Sequence, residues 1–134
     1  MNWEDYFKSL LSLVLWREAA DQGHIGMRAV AHVIRNRVLA THLPFQWEDV
    51  ISAKWQFSSI TAPGDPMLIK WPKQPDVAFE DAMQIAESVY NGSDEDPTGG
   101  ATMYANLRVC SPKWDFSKLT QTAVIGAHTF WKTK

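Results

Sequence analysis

The stretch LVLWREAADQG, residues 13–23, places a glutamate where the helical register asks for an apolar residue. Phe7, Leu11 and Val14 recur along one stripe of a helix, and Glu18 falls four residues beyond Val14 on that stripe. A carboxylic acid on such a face loses hydration, which penalises the ionised form and raises the pKa. A proton retained near neutral pH is what a general acid needs. The same position also suits a partnered charge, with Arg17 or an arginine of the next helix as the partner. The residues alone leave both readings open.

Other chemistries find less support. His24, His32, His42 and His128 are scattered without a His-Glu-x-x-His pattern, so no metal site is expected. The single Cys110 offers neither an internal disulfide nor a cysteine metal site, and it has no identifiable basic partner. Ser58 and Ser59 lie in no nucleophile elbow. DEDPTGG, residues 94–100, lacks the full spacing of a calcium or phosphate loop and reads as a tight turn. Asp65, Asp94, Glu95, Asp96 and Asp115 all fall in polar loop segments, where a solvated charge is the default.

The elements that must position Glu18 follow from periodicity. Residues 3–20 read as an amphipathic helix with Trp3, Phe7, Leu10, Leu11, Val14 and Leu15 inward, broken by Asp21-Gln22-Gly23. Residues 24–40 read as a second helix with Met27, Val30, Ile34 and Val38 on one face and Arg28, Arg35 and Arg37 on the other. A short third helix is expected in WEDVISA, residues 47–53, with Glu48 and Asp49 at its N-terminus. From KWQFSS to KWPKQP, residues 54–75, the chain reads as a long loop with one short strand pair. Residues 76–91 give a helix capped by Asp76, with Phe79, Met83, Ala86 and Tyr90 sharing a face and Gly92 ending it. ATMYAN, residues 101–106, is a strand candidate. TQTAVIGAHTFWK, residues 120–132, alternates only in part and is compatible with a strand or an irregular end. No repeat, low-complexity tract or linker interrupts the chain, so residues 1–134 are expected to form one mainly α (α+β) domain with long irregular loops and a small β element.

The 134 residues suffice for one real core and not for two. A formal net charge of -2 gives no polycationic footprint, so nucleic acid is not an expected partner. Seven tryptophans point to a heavily aromatic core or to a groove that stacks on sugar rings or bases. The apolar run Leu10–Trp16 is too short to span a membrane, and the acidic start with Glu4 and Asp5 does not suit a signal peptide. A core helix without an export signal is the expectation.

Several stretches fit together in order. LWREAADQGHIGMRAVAHVIRNRV, WQFSS, DPTGGATMYAN, SPKW and IGAHTFW resemble the spore-cortex-lytic (SleB-type) cell-wall hydrolase family across about residues 11–131. That family reads an apolar helix ending in Gly-Glu-Ala, then Gly-x-x-Ala-Val-Ala-x-Val-x-x-Asn-Arg-Val. Phe-Ser, Asp-Pro-Thr-Gly-Gly-Ala followed by a Tyr and an Asn, and Ile-Gly-x-His-x-Phe come later. Where the family commonly has glycine before the glutamate, this chain has Arg17.

The resemblance implies a lysozyme-like domain that cleaves peptidoglycan glycan strands between MurNAc and GlcNAc, with Glu18 as the catalytic acid. It implies that Gln56 and Ser58 line the cleft, and that Tyr104 and Asn106 face the sugar or steady developing charge. His128 matches a family position for which a structural role is expected, and Gly99 and Gly100 serve turn geometry. Hydrolytic glycosidases usually need two carboxyls, and no second acid stands in a matching motif. One acid suffices if the muramic acid C6 hydroxyl attacks, as in the lytic transglycosylases that this family resembles. Glu18 would then act as acid and base, leaving a 1,6-anhydro end with no metal or organic cofactor. The alternatives are a water-using muramidase with a loop aspartate as base, and a non-catalytic sugar-binding or virion module. A monomer without membrane insertion is expected, acting on the wall as a phage lysin or wall-piercing virion component.

Overall fold

The structure, a computed structural model, describes residues 2–41, 46–53 and 57–134, and leaves aside the side chain of Ser58. His42 and Gln56 therefore lie outside the described residues.

Helix α1 (Trp3–Ala19) starts on Asn2, whose Oδ1 accepts the Asp5 amide at 2.9 Å, with Glu4 and Asp5 in the first turn where the helix dipole favours negative charge. It ends in a 3-10 turn, Ala20–Gln22, and at Gly23, whose φ of 72° is a left-handed value that favours glycine. Helix α2 (Gly23–Thr41) follows at once. Phe7, Leu11, Val14 and Leu15 of α1 are buried with Met27, Val30, Ile34 and Val38 of α2, as the periodicity predicts. Trp3 departs from that expectation: it is 67 % exposed at the helix start, stacked beside Phe7 at 6.1 Å, because the core ends one turn further in.

Helix α3 (Trp47–Ile51) covers one end of this core with Trp47 and Ile51. Helix α5 (Val77–Tyr90) is capped by Asp76, whose Oδ1 accepts the Phe79 amide at 2.9 Å. Its buried face is Ala82, Ile85, Ala86 and Val89, not the expected Phe79–Met83–Ala86–Tyr90 stripe; Met83 is 46 % exposed. The face is rotated because α5 packs on α1 and α2 together. Phe79 and Tyr90 flank the contact instead, against Trp16 and Trp47 with ring centroids 6.3 and 5.0 Å apart. Between α3 and α5, the described residues contain no strand pair. They form the short helix α4 (Ser58–Thr61) and a 3-10 turn, Pro66–Ile69, capped by Asp65.

Three antiparallel strands complete the architecture: β1 (Met103–Ala105), β2 (Leu119–Ile125) and β3 (His128–Thr133), in the order β1-β3-β2. Tyr104 pairs with Phe130, and Ile125 with His128 across a turn that Gly126 enters at φ 58°. Ala29 and Val33, on the flank of α2 opposite the helical core, pack against Ala101 and Phe130. Helix α2 is thus buried from both sides, a mainly helical α+β arrangement with the small sheet on its outer flank.

Candidate active site

Glu18 sits in the last turn of α1, half-buried, and forms no ion pair among the described residues. The structural-charge alternative requires Arg17 or an α2 arginine as its partner, and the geometry sends them elsewhere. Arg17 is buried and donates to backbone carbonyls: Nε and Nη2 to Lys70 O at 3.1 and 3.0 Å, Nη1 to Ser59 O at 3.1 Å, and Nη2 to Leu68 O at 3.3 Å. Its guanidinium also lies 4.6 Å from the centre of the exposed Trp71 ring. Arg17 therefore ties the end of α1 to the α4 and Pro66–Ile69 segment, and forms no ion pair with Glu18 among the described residues.

That tie sets the surroundings of Glu18. Burial pushes the Glu18 carboxyl above its ordinary range. The Ser59 hydroxyl opposes this by favouring the ionised form, and the negative charge of Asp65 reinforces it. Ser59 Oγ is itself buried and has no fully formed hydrogen bond among the described residues, so its support of the carboxylate is partial. Burial is the largest of these causes, and it places the Glu18 pKa above its ordinary value.

Across from Glu18 stands β1. Its placement starts at Asp96, which organises the DPTGG turn. Oδ1 accepts the Thr98 amide and hydroxyl at 2.7 and 2.6 Å, and Oδ2 accepts the Gly100 amide at 3.1 Å. Gly99 and Gly100 take φ values of 70° and 84° to make this turn. Asn36 of α2 locks the turn to the helix, its Nδ2 donating to Asp96 Oδ2 and to Ala101 O, both at 2.9 Å. Asp94 accepts from Arg28 Nε at 2.7 Å and lies 2.6 Å from Nε2 of the buried His32. Asp94 and Asp96 are therefore engaged with α2, in contrast to the solvated loop charges expected from sequence. The motif aims β1, and with it Tyr104, at the acid.

Glu18, Tyr104 and Asn106 line one cleft of about 430 Å³, together with Arg37, Phe57 and Trp114. The Tyr104 ring is stacked on Phe130 at 5.8 Å and meets the His128 ring edge-on at 5.2 Å. Burial and the Glu18 charge push its phenol pKa up, and Arg37 opposes them. Asn106 Oδ1 accepts the Arg108 amide at 3.0 Å, and its backbone carbonyl accepts the Cys110 amide at 3.1 Å, so Asn106 shapes the cleft's rim. His128 lies behind Tyr104 and burial lowers its pKa, with the Asp21 charge opposing.

Of the residues expected at the site, the fold brings Glu18, Tyr104 and Asn106 together; Gln56 and the Ser58 side chain are outside the described residues. Sequence reasoning missed Ser59, Arg37, Phe57 and Trp114. The Ser-Ser pair in WQFSS cannot say which serine faces the acid, and Arg37 looks like one more polar-face arginine of α2. Among the described residues no group of three or more His, Cys, Asp or Glu could hold a metal ion, and no helix is long and apolar enough to cross a membrane.

The sequence profile of the Cell Wall Hydrolase family (Hydrolase_2) matches residues 21–131, beginning three positions after Glu18. Spore cortex-lytic enzymes of Halalkalibacterium halodurans and Bacillus cereus are 31 % and 30 % identical over 90 % and 92 % of the chain. The chain spans only 33 % and 43 % of the length of these curated relatives. The catalytic domain of the germination-specific lytic transglycosylase SleB from Bacillus anthracis superposes with a TM-score of 0.72 at 27 % identity, covering 94 % of this chain and 93 % of that one. The catalytic domain of the Bacillus cereus SleB protein gives 0.72 at 28 % identity, covering 94 % and 89 %.

Proposed function

The chain belongs to the cell wall hydrolase family, and on that premise we propose that it cleaves peptidoglycan glycan strands between MurNAc and GlcNAc as a lytic transglycosylase. One observation carries the reading: an acid without an ion-pair partner among the described residues, its pKa raised by burial, stands in a cleft walled by Tyr104, Asn106 and Trp114. In this reading Glu18 donates its proton to the glycosidic oxygen as the C1–O bond breaks. The resulting carboxylate then accepts the proton of the muramic acid C6 hydroxyl as that oxygen closes on C1. The products are a free C4 hydroxyl and a 1,6-anhydro end, with Glu18 reprotonated and no water consumed. Tyr104, at the acid's side, and Asn106, at the rim, contact the sugar; Gln56 and Ser58 are assigned to the cleft wall by family resemblance alone. The chain is taken as a single catalytic domain working as a monomer without a cofactor.

A water-using muramidase is the second reading, and one observation favours it: the Asp65 charge reaches Glu18, so a second carboxyl stands near the acid. Mass spectrometry of muropeptides released from purified peptidoglycan separates the two, because hydrolysis adds water and transglycosylation does not. Anhydro-muramic ends are expected, and Glu18→Gln is expected to lower kcat by about 10²–10⁴-fold while wall binding persists. Reducing ends carrying solvent oxygen, together with loss of activity in Asp65→Asn, would establish the muramidase.

A further inference from the structure

Arg37 stands apart from its neighbour on the same helix. Arg28 pairs with Asp94 at 2.7 Å, whereas Arg37 has no carboxylate within ion-pair distance among the described residues. Its Nε donates to Thr102 O at 2.5 Å, and its Cζ lies 5.7 Å from the centre of the Phe57 ring. These contacts fix the plane of the guanidinium and leave Nη1 and Nη2 without protein acceptors among the described residues.

Arg37 also has a singular location. Beside the 430 Å³ cleft that holds Glu18 lies a second cavity of about 540 Å³, bounded by Thr41, Asp49, Val50 and Met103. Arg37 and Trp114 line both. Asp49 is the acidic residue on the wall of the second cavity, and no ion pair joins it to Arg37 among the described residues. A strand bound across Glu18 and continuing past Trp114 would run over the free edge of this guanidinium. A planar, permanently charged fork suits a carboxylate, which it can hold by two parallel hydrogen bonds.

We propose that Arg37 is a specificity-determining residue that binds a carboxylate carried by the glycan strand, and that the second cavity receives the part of the strand bearing it. The inference rests on the glycan-cleaving reading above. Two substituents of peptidoglycan supply this chemistry: the free carboxylates of the stem peptide and, on muramic acid units that carry no peptide, the 3-O-lactyl carboxylate.

The test uses Glu18→Gln to measure binding without turnover, on native peptidoglycan and on peptidoglycan whose carboxyls have been converted to amides. Amidation should weaken binding by about ten- to a hundredfold, the span of one charge-assisted hydrogen bond. Glu18→Gln/Arg37→Gln should bind native material as weakly as Glu18→Gln binds amidated material, and should not distinguish the two. Glu18→Gln/Arg37→Lys, which keeps the charge without the fork, should fall between them. A third substrate, glycan stripped of stem peptides by an amidase so that the lactyl carboxylate is freed, separates the sources. Arg37-dependent binding there identifies the lactyl group; its loss there identifies the peptide. Binding indifferent to amidation, or still sensitive to it without Arg37, overturns the proposal. If Arg37→Gln fails to fold, the Lys variant and the amidation comparison with Arg37 intact decide it. A wild-type protein that neither cleaves nor binds peptidoglycan removes the functional reading as well, whereas cleavage with no carboxyl dependence removes this inference alone.

Discussion

Replacing Arg17 by Met keeps a long stem and a good helix former while deleting every contact of the guanidinium. Four N–H···O contacts to three carbonyls are lost. The Ser59 carbonyl contact is buried, and an acceptor orphaned there costs about 1–3 kcal/mol. Those to Leu68 and Lys70 are only part-buried, so water can replace the donor at about 0.5–1 kcal/mol each. Stacking on the exposed Trp71 contributes about 0.5 kcal/mol more. Against this stands relief of the desolvation that lowers the Arg17 pKa. A net loss of about 3 kcal/mol is expected. At about 2.1 cal/mol/K per residue, a chain of this length should then lose about 10 °C in Tm. Urea unfolding followed by circular dichroism, with calorimetry alongside, measures both. A loss below about 1 kcal/mol would refute the view that Arg17 staples the α4 segment to α1.

Three further outcomes are expected. Ser59→Ala removes a group that favours the Glu18 carboxylate, so the alkaline limb of the pH–rate profile should move up; Asp65→Asn removes a repelling charge and should move it down. Both are read from kcat/KM across pH, and identical limbs in the two variants would contradict the assignment of their opposite effects. In the wild type the limb itself should lie above the ordinary carboxyl range, because only the protonated acid works. Burial tends to raise the Asp94 pKa, but hydrogen bonds from His32 and Arg28 outweigh it and leave the carboxyl low. A depressed folded-state pKa stabilises above the unfolded value and is lost as pH falls through the folded one, so Asp94→Asn should flatten the acid side of the stability curve in urea titrations between about pH 5 and 2.

The legible parts of this molecule are those with a strong period or a local cap. The α1 stripe that ends in Glu18 is visible because its buried residues keep a regular helical spacing through the core, and Asp76 announces α5 through its own backbone contact. Periodicity misleads in α5, which is wedged against α1 and α2 with a buried face turned away from the stripe that hydropathy favours. It fails again in β2, where the register shift between Gln121 and Ala123 breaks the alternation that would have declared a strand. Within the site, the acid and Tyr104 are legible from motif order. Arg37 is not, because its cleft-facing role depends on Thr102 and Phe57, both distant in sequence. The loop aspartates mislead for the same reason: Asp94 and Asp96 find their partners on α2, some sixty residues back along the chain.

The cleft's walls come from Glu18, Arg37, Phe57, Tyr104 and Trp114, stretches that meet only when the chain has closed its longest loops. A partly folded chain holding α1 against α2 would already contain the glutamate, yet that glutamate would still be wet. Its burial is complete only when the segment carrying Ser59 and the strand carrying Tyr104 are in place. The raised pKa of Glu18 is thus a collective property of the finished fold rather than of its helix. An incompletely folded chain would lose that burial and the upward shift with it, so under the proposed reading activity and global folding should rise and fall together.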